Sequence, residues 1–322
     1  MISCLIVLLV LSILIQGKVV PFSKDRTTLL KAVLPWVIIL HHLSLRTNLL
    51  GDFIEAGVYV VGLFFFISGY GLEKKRMVGA KNYLKQLPKR LSKLLLPLVV
   101  PIVIYLVLII SFGGNAVGVI KNSLRDWCII LPYTWFILNL LIFYIVYYGL
   151  AHFIRDTKMF LTAMAIALLI ISVFLMLFDG TSAHYASNFA FLAGIAYCHI
   201  EGNVMKTFAT KKGVLVLMLI SVIATYFGTH PFRLSSSWNV PIYSIAVIAL
   251  VTRMPFNNKG IDFLSKYSYD LYICQSIVFV ILNKLFVLSN WAYIILALPL
   301  CFIVAVVCHQ ATKLLQQLVT KL

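Results

Sequence analysis

Two adjacent histidines, His41 and His42, stand in an apolar run that opens at Lys31. Ionisable side chains inside a membrane-length apolar run are costly to place and are by default functional. Imidazole is the side chain best matched to moving a proton near neutral pH. Lys31 precedes His42 by eleven residues, which on a helix is about three turns and a rise of about 16 Å. The two therefore share a face, with Ile38 between them, and His41 points about 100° away. Pro35 frees the main-chain carbonyl of Lys31 and predicts a kink there. One reading makes His42 a general acid or base in a cavity reached by substrate. The other makes it a neutral histidine bonded to a neighbouring helix, and the residues alone leave both open.

Positive charge is the second chemical signal. The stretch from Glu73 to Lys93 holds eight basic residues and one acid. Arg90 and Lys93 are i, i+3 neighbours on one helical face, placed where Leu94-Leu-Leu-Pro97 enters the next apolar run. Such a pair suits the phosphates of a soluble cofactor. Most of the charge run reads instead as a topology signal that meets lipid head groups. Between the two elements lies Val61-Gly-Leu-Phe-Phe-Phe-Ile-Ser-Gly-Tyr-Gly71. There Gly62 and Gly69 predict close helix packing, and Ser68 either meets substrate or bonds its own preceding turn. Asp52 and Glu55, just past the histidine helix, either orient an imidazole or face water. Trp135 reads as an interfacial anchor, Asp179 and His184 as solvated loop residues, and Asp270, close to Tyr269 and Gln275, as a helix cap.

Membrane helices must position all of these groups. Of 322 residues, 62% are hydrophobic and 11% are charged, whereas soluble domains carry about 25% charged residues. A span needs about 20 apolar residues. Such runs fall at roughly 2–20, 32–50, 56–72, 94–112, 134–154, 159–178, 185–200, 213–228, 239–252, 268–288 and 291–309. The expected fold is an all-α polytopic membrane protein of about 10–11 transmembrane helices, read as a single membrane domain over residues 1–322. The first run has its first charge, Lys18, behind it, so it reads as an extra retained N-terminal helix rather than a cleaved signal. The net charge of +17 reflects cytoplasmic loops rather than nucleic acid. With the N-terminus outside, 22 of the 27 Lys and Arg fall on the inner side. That split supports this orientation, with the C-terminus cytoplasmic. Six scattered cysteines have neither disulfide-framework nor metal-site spacing, so no metal is expected.

In order along the chain, these residues resemble the membrane acyltransferase 3 family, whose best-known members O-acetylate bacterial surface polysaccharides. The family has a basic residue eleven positions before a membrane histidine, as Lys31 and His42 are here. Phe64-Phe-Phe-Ile-Ser-Gly-Tyr70 looks like its phenylalanine-rich Ser-Gly segment. Arg90-x-x-Lys93 before Pro97 is similar to its Arg-x-x-Arg motif, Trp135-Phe136 to its Trp-Phe helix, and Ser268-Tyr269-x-Leu271-Tyr272 to its Ser-Tyr-x-x-Tyr. The resemblance covers roughly residues 24 to 310. Lysine stands where the family usually has arginine at 31 and 93, keeping charge but losing the bidentate fork. Gln275 stands where the family often has histidine.

The resemblance implies an O-acyltransferase that moves an acetyl group from acetyl-CoA to a hydroxyl of a cell-surface or lipid-linked glycan, in the bacterial plasma membrane. Acetyl-CoA is then a co-substrate and no cofactor is bound permanently; the partners are the acyl-CoA donor, the glycan acceptor and membrane lipid, with no nucleic acid. His42, or His41 beside it, takes the catalytic role. Lys31, Arg90 and Lys93 hold the donor, and Ser68, Trp135 and Glu55 line the substrate. The alternative is a transporter or flippase for a lipid-linked sugar, which also needs many spans and a buried polar site. No two halves of the chain look alike, which argues against it. A sensor or scaffold would have no need of a membrane-embedded histidine.

Overall fold

The computed structural model describes residues 21–79, 83–178, 180–208, 235–252 and 258–319, with scattered positions between 210 and 223. The longer helices in chain order are α1 (Lys24–Thr47), α2 (Ala56–Met77), α3 (Leu87–Ser111) and α4 (Ala116–Arg125). They are followed by α5 (Trp135–Phe153), α6 (Thr157–Phe178), the short α7 (Ser182–Ala186) and α8 (Phe189–Phe208). Last come α9 (Ser235–Val251), α10 (Lys259–Lys266), α11 (Ser268–Leu285) and α12 (Asn290–Val319). No strand occurs among the described residues. Among the described residues six helices, α1, α2, α3, α5, α6 and α12, are long and apolar enough to cross a membrane. The chain is an all-α polytopic membrane protein, the architecture that satisfies every backbone group inside each segment. Helices α8, α9 and α11 occupy three more of the expected spans. The expected spans at 2–20 and, for the most part, 213–228 lie outside the described residues.

The structure corrects several local expectations. Helix α3 begins at Leu87, ahead of the expected span at 94–112, and Arg90 and Lys93 lie in its first two turns, on one helix as their spacing predicts. Pro88 in that first turn is the reason for this start: proline suits a position whose N–H has no helical partner. Helix α4, capped by Asn115 Oδ1 accepting from the Gly118 N–H at 2.9 Å, replaces an expected outer loop. His184 is buried rather than solvated, because α7 packs on α6, α9 and α2; Asp179 lies outside the described residues. Asp270 is the third residue of α11 and does not serve as a cap. Its carboxylate instead meets His309.

The chain divides into two compact units, and α1, α5 and α10 each contribute residues to both. In the first unit (residues 1–30, 55–84 and 146–262), α2 packs along α8. A Cβ on Gly69 would stand 2.2 Å from the Phe191 carbonyl oxygen, and one on Gly194 only 2.1 Å from that of Phe66. These glycines let two backbones touch, as small residues do at membrane helix interfaces. Glu73, wholly buried on α2, accepts from the Arg76 guanidinium at 2.7 and 3.0 Å and from Tyr147 Oη. His199 Nε2 lies 2.7 Å from its other oxygen. Glu201 forms a second hub, meeting Lys74 Nζ at 2.8 Å, the Phe22 N–H at 2.9 Å and Tyr70 Oη at 3.0 Å.

The second unit (residues 31–54, 85–145 and 263–322) packs α3, α11 and α12 against one another. Ile39 and Leu43 of α1 join Leu271 and Phe279 of α11 and Cys301 and Ala305 of α12 in its apolar core. Every sequence-selected polar site residue except Ser68 and Glu55 belongs to this unit.

Candidate active site

Helix α1 is continuous from Lys24 to Thr47 with Pro35 inside it, so Lys31 and His42 stand eleven residues apart on a single helix. Lys31 is exposed and His42 half-buried. The two histidines have different surroundings. His41 directs Nδ1 at the Phe53 main-chain carbonyl, 3.1 Å away, and so ties α1 to the 3-10 turn Gly51–Phe53 that follows it. Neither ring nitrogen of His42 has a hydrogen-bond partner among the described residues. Its ring lies against Tyr133, centroids 3.9 Å apart and planes inclined at 31°.

Tyr133 is the centre of the arrangement. Its hydroxyl accepts a 2.6 Å hydrogen bond from Arg46 Nη2, one helical turn beyond His42. Its carbonyl accepts from Tyr272 Oη. The Arg46 guanidinium also lies over Phe279, 4.5 Å from the ring centroid. Tyr133 sits in a loop with three left-handed non-glycine residues, Trp127, Ile130 and Tyr133, at φ 53°, 61° and 70°. Such conformations persist only where the surroundings enforce them. Here Trp127 Nε1 donates to Asn139 Oδ1 at 2.8 Å, and Thr134 Oγ1 accepts from the Ile129 N–H at 2.8 Å while donating to the Leu131 carbonyl at 2.6 Å.

The remaining motifs converge on α11. Tyr269 Oη donates to the Leu94 carbonyl at 2.6 Å, one turn along α3 from Arg90. Phe136 meets Tyr272 edge to face at 4.5 Å. Trp135, the first residue of α5, is half-buried. Lys93 is exposed. Arg90 is not, and its Nε and Nη2 are buried without a hydrogen-bond partner among the described residues. A guanidinium carries five donors, and two of those on Arg90 are left for a group other than the described residues. Ser68, half-buried on α2, and Glu55, exposed at the residue before α2, belong to the first unit.

Sequence reasoning passed over Tyr133, Arg46 and His309 of this unit, and read Asp270 as a helix cap. Tyr133 directly precedes the Trp-Phe motif, and Arg46 was one basic residue in an outer segment; its place one turn from His42 was the available signal. Buried Asp270 pairs with half-buried His309, His309 Nδ1 lying 2.8 Å from Asp270 Oδ2, with His309 Nε2 unmatched among the described residues. They stand 39 positions apart on separate helices, and no local pattern announces such a pair.

The fold and this constellation define a polytopic membrane protein with an uncommitted imidazole and an unmatched cation in one helical unit. The chain matches the acyltransferase 3 family, described as an acyltransferase domain, over residues 26–310. It belongs to that family of membrane acyltransferases. No curated protein and no solved structure matches it.

Proposed function

We propose that this protein is an O-acyltransferase of the plasma membrane, with its N-terminus outside and C-terminus cytoplasmic. It moves an acetyl group from acetyl-CoA to a hydroxyl of a cell-surface or lipid-linked glycan. The observation that carries this reading is the pairing, within one unit, of an imidazole whose nitrogens are uncommitted (His42) with a guanidinium whose buried donors are unmatched (Arg90). His42 accepts the proton of the acceptor hydroxyl as that oxygen forms a bond to the acyl carbon. The bond to sulfur breaks, and His42 returns the proton to the departing thiolate. Arg90, with Lys93 and Lys31, supplies the charge that holds the donor's phosphates. Tyr133 fixes the imidazole plane through its ring, and its own position is fixed by Arg46 and Tyr272.

Arg90 gives the direct test. A hydrogen bond to a charged group contributes about 1.5–3 kcal/mol, so Arg90→Ala should raise the KM for acetyl-CoA about 10- to 100-fold. Protein levels should stay normal, because no residue described here depends on Arg90 for a hydrogen bond. Steady-state kinetics of the purified variant measures this. An Arg90→Ala protein with an unchanged donor KM removes the phosphate seat from the account.

A further inference from the structure

The second unit has polar chemistry at both of its ends. Tyr269 bonds the Leu94 carbonyl, which puts the start of α11 beside the start of α3, where Arg90 lies. Asn283 follows Tyr269 by fourteen residues on the same helix, about 21 Å away along the axis. At that far end a cavity of about 370 Å³ opens, lined by Arg46, Thr47, Asn283, Leu288, Asn290 and Tyr293. Its volume falls within the range of small-molecule sites, about 300–1,000 Å³, but such sites are mostly apolar. This lining is a guanidinium, two carboxamides, two hydroxyls and one leucine.

Several contacts show a built site. Tyr293 Oη is buried with no hydrogen-bond partner among the described residues. Asn290 Nδ2 donates to the Thr47 carbonyl at 2.8 Å, joining the ends of α1 and α12. Arg46 is held over the Phe279 ring and bonded to Tyr133, whose ring in turn lies on His42. The cavity therefore communicates with His42 through a single residue. Carboxamides and a guanidinium offer paired donors and acceptors in a plane, and this matches adjacent hydroxyls on a sugar ring. An acyl chain would leave the Tyr293 hydroxyl without a partner and the Asn283 carboxamide against hydrocarbon.

We infer that this cavity is the acceptor subsite: it seats one sugar residue of the glycan on the membrane face opposite the donor phosphates, with Arg46, Asn283, Asn290 and Tyr293 meeting its hydroxyls. The inference rests on the acyltransferase reading above and adds where the acceptor binds and from which side. The donor must then reach from the Arg90 end toward His42, and the acceptor hydroxyl meets it from the other end.

The test uses purified full-length protein in lipid, acetyl-CoA as donor, and two acceptor probes from the cells that make the protein. One is their deacetylated surface glycan and the other their lipid-linked glycan fraction; whichever is used identifies the source of the sugar. Asn283→Ala and Tyr293→Phe should raise the KM for that acceptor at least tenfold and leave the KM for acetyl-CoA within about twofold. Unchanged acceptor KM values overturn the assignment, and so does a parallel rise in both KM values, which signals general damage. In cells, a membrane-impermeant thiol reagent added outside should reduce glycan acetylation by Asn283→Cys protein more than tenfold relative to the same cells untreated. Modification without loss of acetylation contradicts the subsite, as does modification only in opened membranes. If wild-type protein acetylates neither probe, the acyltransferase proposal itself has failed, separately from the location of the acceptor.

Discussion

Replacing His42 by alanine should abolish detectable acetylation while the protein accumulates in the membrane at its normal level. Loss of a general base typically costs about 10²- to 10⁴-fold in rate. His42 forms no hydrogen bond among the described residues, so its removal leaves no partner unsatisfied. His41→Ala should behave in the opposite way. It removes the bond to the Phe53 carbonyl that anchors the turn after α1, at a cost of about 1–3 kcal/mol. Accumulation should fall, and the protein that remains should keep substantial activity. Glycan acetylation normalised to protein in the membrane separates the two variants. An active His42→Ala beside an abundant but dead His41→Ala would reverse the assignment.

The largest effect on stability should come from Glu73→Ala in the first unit. Glu73 is fully buried and takes hydrogen bonds from Arg76 and Tyr147, with His199 at its other oxygen. Its removal strands the Arg76 charge, whose side chain is only 18% exposed, and leaves the Tyr147 hydroxyl without its acceptor. Breaking a buried pair by deleting one partner costs about 3–5 kcal/mol, a large fraction of a typical protein's stability. Detergent-solubilised Glu73→Ala should lose tens of per cent or more of its folded yield and melt well below wild type. Glu73→Gln, which still accepts from Tyr147 but lacks the charge for Arg76, should fall between the two. A Glu73→Ala protein with unchanged yield and melting temperature would show that water reaches this cluster.

Much of the scaffold was legible because membrane helices announce themselves through local composition. The helical register joining Lys31 to His42 depends only on residues of one helix, and it survives in α1. The packing role of Gly69 was legible for the same reason, since a glycine in an apolar helix leaves room for a neighbouring backbone, and α8 fills that room. Glu73 was harder. It is the lone acid in a strongly basic stretch, where a topology signal was the natural reading, and only tertiary packing buries it. Tyr133 and Arg46 lie 87 positions apart in a loop and at a helix end, so neither periodicity nor motif spacing connects them. The same holds for Asp270, whose place in the first turn of α11 suggested a cap, whereas α12 brings His309 to it. The apolar run marks only the membrane span of α3, and the helix continues past it through Arg90 and Lys93, whose long basic side chains can reach water.

Transfer of a radiolabelled acetyl group tests the central claim most directly. Purified protein in lipid vesicles is given labelled acetyl-CoA and the deacetylated glycan of its own cells. Label should appear in the glycan as alkali-labile ester with wild-type protein and His41→Ala, and remain at background with His42→Ala. Equal labelling by wild type and His42→Ala would contradict histidine catalysis. Absence of label with every protein, beside movement of intact glycan across the vesicle membrane, would contradict the acyltransferase account and favour a transporter.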